Sequence, residues 1–141
     1  MTQENKELLL KNLCARLPYG VKVFDNSLGG VDVFNLVGYD GEDFLDDDGY
    51  WYRVEDCKPY LFPLSSMTEE QKQEFLSVAG YERREEDCGR HTETYYYDMV
   101  GHEHNFYPNS DAIDWLNKNH FDYRGLIPMG LANDATGLNV Y

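Results

Sequence analysis

A small α+β domain is the fold class this sequence predicts, with an antiparallel sheet of about four strands packed with about three helices. Three observations lead there. Apolar residues recur at helical spacing in three separate segments. Short runs of Val, Phe and Tyr, punctuated by Gly, Asn and Asp, fill the space between the first two. The chain has 141 residues, 42% of them apolar and 15% aromatic, which is enough apolar surface for the core of one domain spanning 1–141.

The first helix covers 5–17, where Leu9, Leu10, Leu13, Cys14 and Leu17 make one stripe. Glu7 and Lys11 form an i,i+4 pair on the opposite side, and Pro18 and Gly20 end the helix. Val21, Val23 and Phe24 read as a first strand, and Asn26 to Gly30 as a turn. Val31, Val33, Phe34, Leu36 and Val37 read as a second strand, closed by an acidic loop from Asp40 to Gly49. Tyr50, Trp51, Tyr52 and Val54 supply a third, completing a meander. Residues 57–67 hold two prolines, so they are expected as an ordered crossing segment with Tyr60, Leu61 and Leu64 buried, not as a central strand.

A second helix starts near Thr68. Both Thr68 with Gln71 and Ser66 with Glu69 have capping-box spacing, so the starting residue stays open. Phe75, Leu76 and Ala79 form its inner face, and Gly80 suits the position after its end. The polar stretch 82–91 reads as a surface loop, and Thr92 to Val100 as a fourth strand. Asn109 or Ser110 caps a third helix, Asp111 to Asn119, with Ile113, Trp115 and Leu116 inward. The tail 121–141, punctuated by Gly125, Pro128, Gly130 and Gly137, is expected to be irregular.

The net charge is −14, from 26 acidic and 12 basic side chains. Phosphate contacts need a surplus of Lys and Arg, so no direct nucleic-acid binding is expected. Anionic membranes are disfavoured in the same way, and no stretch approaches the ~20 apolar residues of a membrane span. Leu8 to Leu10 is flanked by charge and followed by no small-residue cleavage pattern, so no signal peptide is expected. Cys14, Cys57 and Cys88 are odd in number and far apart, which fits reduced thiols in a cytoplasm. Cys14, on the apolar helix face, reads as a small core residue.

Eight of the 26 acids lie between Asp40 and Asp56, against the single arginine Arg53. Asp46 and Asp48 fall at the third and fifth positions of a calcium-loop pattern, with Gly49 at the sixth and Glu55 at the twelfth. Phe44 occupies the first position and cannot ligate, so a solvated acidic turn is the better reading. His102 and His104 form an H-x-H pair with His91 and Cys88 upstream, a weak zinc candidate without a C-x-x-C. Ordinary surface histidines are the blander reading of the same residues. Cys57 has acidic neighbours that favour the neutral thiol. No nucleophile elbow, Walker loop or dinucleotide fingerprint occurs, so nothing in the chain argues positively for an enzyme.

The aromatic runs Tyr50-Trp51-Tyr52 and Tyr95-Tyr96-Tyr97 are more distinctive. Strand alternation puts Tyr50 and Tyr52 on one face and Trp51 on the other. Such rings either pair across strands inside the sheet or project as interface anchors. The expected function is therefore a non-enzymatic acidic interaction protein whose surface includes Asp40, Glu42, Asp43, Asp46, Asp47, Asp48, Tyr50, Trp51 and Tyr52. Its protein partner would be basic, bound in one form of the reading by mimicry of nucleic-acid charge. The alternatives are a metal- or ligand-binding module built on the Cys and His residues, and an enzyme with an unrecognised site. A homo-oligomer is compatible with all of them.

Three segments, KELLLKNLCARLPYGVKV (6–23), EDCKPYLFPLSSMTEEQ (55–71) and DWLNKNHFDYRGLIPMGLA (114–132), resemble small acidic proteins encoded by phages, prophages and mobile elements of gut Bacteroidetes. The similarity covers about half the chain. It implies a phage-linked protein of the bacterial cytoplasm and supplies no catalytic residues.

Overall fold

The structure, a computed structural model, describes residues 1–25, 33–87, 92–98 and 110–141, with 25, 81–87 and 92–98 described by their backbone alone. It is an α+β chain that divides into two compact units, Met1–Ser66 with Asn117–Tyr141, and Met67–Leu116.

The first unit opens with helix α1, Gln3–Arg16. The helix begins earlier than the apolar periodicity because Thr2 caps it, its hydroxyl accepting the Asn5 N–H at 3.1 Å. The innermost residues are Leu9, Asn12, Leu13 and Arg16, an i, i+3, i+4, i+7 stripe with two polar members. Leu10, Cys14 and Leu17 flank the core half-buried. A 3-10 turn at Leu17–Tyr19, with Pro18 inside it, leads to Gly20 at φ 77° and into the sheet.

Strands β1 (Val21–Asp25), β2 (Val33–Tyr39), β3 (Asp43–Asp46) and β4 (Trp51–Arg53) form an antiparallel meander. Strand β3 lies inside the stretch expected to be a loop. Asp40 and Asp46 organise tight turns on either side of it, and these leave room for a four-residue strand.

Strand β5 (Cys57–Pro63) corrects the crossing-segment expectation. It lies next to β1 in the sheet order β4-β3-β2-β1-β5-β8, with β9 also paired to β5. Its prolines are tolerated because its pairing is piecewise. Cys57–Pro59 run antiparallel to β1, Tyr60 and Leu61 run parallel to β9 (Asn133–Asp134), and Phe62 and Pro63 run parallel to β8 (Phe121–Asp122). No long ladder needs the missing proline donors. The sheet is thus mixed and seven-stranded, larger than the four strands expected.

Leu9 and Leu13 of α1 pack with Val21, Val23, Leu36, Phe44, Val54 and Cys57 in the main core. Each fully buried leucine there stabilises the fold by roughly 1.5–3 kcal/mol. A second cluster joins Leu61 of β5 to Leu126, Leu131 and Ala132 of the tail. The tail is therefore docked, though mostly without regular structure. His120 accepts the Phe62 N–H on its carbonyl at 2.8 Å, and Ala135 donates its N–H to the Leu61 carbonyl at 2.8 Å. Both oxygens of the buried Asp122 accept backbone N–H groups, from Leu126 and Ile127, each at 2.9 Å.

In the second unit, helix α2 (Glu69–Ala79) carries a full capping box. Gln71 donates its N–H to Thr68 Oγ1 at 3.1 Å, and the Thr68 N–H reaches Gln71 Oε1 at 2.9 Å. This settles the start on Thr68. Leu76 and Ala79 are buried, Phe75 half-buried, and Gly80 closes the helix at φ 81°. The polar stretch expected as a loop is largely strand β6 (Tyr81–Asp87), paired antiparallel with β7 (Thr92–Asp98) from Tyr81↔Asp98 to Asp87↔Thr92. The expected fourth strand therefore belongs to a separate two-stranded sheet. Backbone pairing holds this hairpin although β6 lacks apolar alternation, the only signal a sequence pattern reads.

Helix α3 (Ser110–Lys118) begins at Ser110 itself, and Asn109 lies outside the described residues. It buries Ala112, Trp115 and Leu116, while Ile113 is only half-buried. The Trp115 indole donates to Glu74 Oε1 at 3.1 Å and its ring lies 5.4 Å from Phe75. Among the described residues no helix is long and apolar enough to cross a membrane.

Candidate functional site

The acidic stretch folds into two consecutive hairpin turns, and its carboxylates divide between internal and outward roles. Asp40 Oδ1 accepts the backbone N–H groups of Glu42 and Asp43, both at 2.8 Å. Those bonds hold its carboxyl below the usual carboxylate range. Asp46 is 1% exposed. Its Oδ1 accepts the N–H groups of Asp48 and Tyr50, both at 2.9 Å, and its Oδ2 accepts the Tyr52 hydroxyl at 2.8 Å. Asp47 is exposed, and its Oδ2 accepts the Asn35 side-chain amide at 3.2 Å. Glu42 and Asp48 are exposed, Asp43 is half-buried, and their side chains make no hydrogen bond or ion pair among the described residues.

Asp46 is thus removed from the outward surface the sequence assigned to it. It also cannot act in a calcium loop of the helix-flanked kind, because strands β3 and β4 flank the turn and Phe44 is fully buried. Among the described residues no group of three or more His, Cys, Asp or Glu is placed to hold a metal ion. Cys88, His91, His102 and His104 lie outside the described residues.

The aromatic run departs from simple alternation. Tyr50 sits in the turn before β4 and is 66% exposed, and Trp51 on β4 is 52% exposed. Tyr52 is half-buried, 5.5 Å from the Phe34 ring, with its hydroxyl held by Asp46. Tyr52 is therefore sheet glue, and Tyr50 and Trp51 are the projecting pair. Strand β4 ends the sheet order, so among the described residues its outer backbone edge has no strand beside it. Trp51 faces Leu45 across the β3·β4 pair.

Beside this hairpin lies a cavity of about 460 Å³, lined by Lys6 and Leu10 of α1, Tyr39, the turn residues Gly41 to Asp43, and Arg53, Val54 and Glu55. Lys6 Nζ stands 3.6 Å from Glu55 Oε2. Sequence reasoning missed Lys6, Tyr39 and Arg53. The register that sets Asp43 opposite Arg53 assembles them, and no local spacing announces it.

A second polar centre sits under the tail. Arg16 is fully buried, donating from Nε to Asn12 Oδ1 at 2.8 Å and from Nη2 to the Phe121 carbonyl. Its guanidinium lies 5.5 Å from the Tyr123 ring centroid. Burial lowers Arg16 to about 10, so it stays charged at neutral pH. Burial, with Arg16 and Lys22 adding to it, pulls the His120 imidazole down to about 4. His120 holds φ 63° and stacks on Tyr141 with ring centroids 3.5 Å apart. The Tyr141 hydroxyl accepts the Lys22 N–H at 3.1 Å and donates to the Tyr60 carbonyl at 2.8 Å, a side-chain rung between β1 and β5. Burial raises Tyr141 to about 12. Cys14 is half-buried and its thiol is raised by burial, which argues against nucleophilic use.

Comparison with protein-family models, with curated proteins and with solved structures finds no match to this chain.

Proposed function

We propose that this chain is a non-enzymatic interaction protein that binds a basic protein partner through the β3–β4 hairpin. The observation that carries the reading is the exposure of Tyr50 and Trp51, at 66% and 52%, on and beside the edge strand of an acidic sheet. Large rings with a polar handle bring contact area at little entropic cost. The exposed carboxylates of Glu42, Asp47 and Asp48 supply the complementary charge. They speed encounter with a basic surface and make it salt-dependent. The outer edge of β4, unpaired among the described residues, offers backbone groups to an extended segment of the partner. Mimicry of nucleic-acid charge is the finer form of this reading, with a nucleic-acid-handling enzyme as partner.

The test is parallel capture from a bacterial host lysate on immobilised wild type, Trp51→Ala and Asp47→Asn/Asp48→Asn, with mass spectrometry and then titration of the captured protein. A basic protein held by wild type should lose about thirty-fold or more in affinity on Trp51→Ala, as a central aromatic anchor does. Its binding should also weaken with salt. Equal capture by wild type and Trp51→Ala, or binding indifferent to salt, overturns the reading.

A further inference from the structure

We propose that the cavity between α1 and the β2–β3 turn binds a small zwitterion with an apolar body, of the free amino acid or dipeptide class. The volume of about 460 Å³ is in the range of small-molecule sites. Its apolar lining comes from Leu10, Tyr39 and Val54, which are half-buried or buried. Its charged lining carries both signs, with Lys6 and Glu55 paired at 3.6 Å and Arg53 and Asp43 left outside that pair. Arg53 is exposed and makes no hydrogen bond or ion pair among the described residues. Across the strand register stands Asp43, which is likewise without an ion pair there.

Glu55 Oε2 is buried and ion-paired with Lys6 Nζ at 3.6 Å, a separation beyond hydrogen-bond reach, so it has no hydrogen-bond partner among the described residues. A buried carboxylate oxygen in that position accepts an N–H donor at little further desolvation cost. A ligand ammonium fits Glu55 Oε2 and the neighbouring Asp43. A ligand carboxylate fits the planar fork of Arg53, which holds carboxylates through two parallel bonds. A pure anion would meet Glu42, Asp43 and Glu55, and a pure cation would meet Lys6 and Arg53. Only a ligand carrying both charges satisfies both walls. The turn that forms the mouth is held by the Asp40 carboxylate, so the cavity is formed before any ligand arrives.

The experiment is an NMR titration of the full chain with L-phenylalanine and L-leucine. Their N-acetyl and carboxamide derivatives, each missing one charge, serve as probes alongside them. Saturating shifts at the Leu10, Tyr39 and Val54 amides are expected with a Kd of about 1 mM or tighter. Removing either charge should weaken binding at least about tenfold, and Arg53→Ala should make the amino acid no better than its carboxamide. Arg53 is exposed, so the variant keeps its fold, which a thermal melt confirms. The absence of saturation by the amino acids at millimolar concentration overturns the proposal, as does equal binding of an N-acetyl derivative. Neither outcome bears on the hairpin's protein partner, because no partner is present.

Discussion

Asp46 and Arg16 are both fully buried side chains of ionisable type, and neither forms a salt bridge among the described residues. Asp46 is satisfied by three donors, all within six residues of it. Arg16 reaches one acceptor four residues away and another 105 residues away, and its Nη1 has no hydrogen-bond partner among the described residues. A carboxylate can be buried cheaply by a turn, because successive backbone N–H groups converge on it. A guanidinium with five N–H donors needs acceptors from distant parts of the chain. Local charge burial thus builds the hairpin that faces outward, and long-range charge burial ties the tail to α1.

Arg16→Ala separates the two cases most sharply. It leaves a cavity and strands the Asn12 and Phe121 acceptors, so a loss of about 4 kcal/mol is expected, read as a lower urea midpoint. If the loss is below about 1 kcal/mol, the buried guanidinium is not what holds the tail. Asp46→Ala removes three bonds and should cost about 3 kcal/mol, at roughly 1 kcal/mol each. Because those bonds are local, hydrogen exchange should rise first in the β3–β4 turn and leave the tail protected.

A smaller effect concerns pH. His120 titrates at about 4 when folded and near 6.5 when unfolded, so the unfolded chain binds the extra proton between those values. The stability this gives is present above about pH 6.5 and is lost as pH falls toward 4. His120→Asn tolerates the same positive φ and should flatten that slope in urea titrations at stepped pH. Smallest of all, Trp51→Ala should change stability by less than about 0.5 kcal/mol, since the ring is exposed. A larger thermal shift would mean that the ring supports the sheet.

The contrast between Asp46 and Arg16 also sets what was legible in the sequence. Thr68, Gln71 and Gly80 announce α2 because caps act over a few residues. Strands β1, β2 and β4 of the meander are legible for the same reason, whereas β3 lies in the stretch that reads as an acidic loop. The acidic stretch reads as a turn, yet Asp46 was placed outside, since composition cannot tell a solvated carboxylate from one wrapped by N–H groups. Arg16 and Asn12 look like the polar side of an amphipathic helix and are in fact innermost, because their partners come from the far end of the chain. Strand β5 was hidden by its prolines, and β6 by its charge. Of the candidate surface, Tyr50 and Trp51 project as an interface needs, and the cavity's Lys6 and Arg53 had no local signal.

The changing partners of β5 fix an order of assembly. The meander from β1 to β4 closes through neighbouring hairpins, whereas the bonds that dock the tail span up to 119 residues. Loop closure over such separations is slow, so the meander should gain protection first and the tail should complete the core afterwards. Pulse-labelled exchange during refolding reads this at two amides, Phe62 and Ala135, whose bonds join β5 to the tail. Protection there that arrives together with that of Asp46, bonded to the Tyr50 carbonyl, would show a single concerted step. Until the tail docks, one side of β5 is an open template for another chain, and the speed of that last closure governs how the protein escapes aggregation.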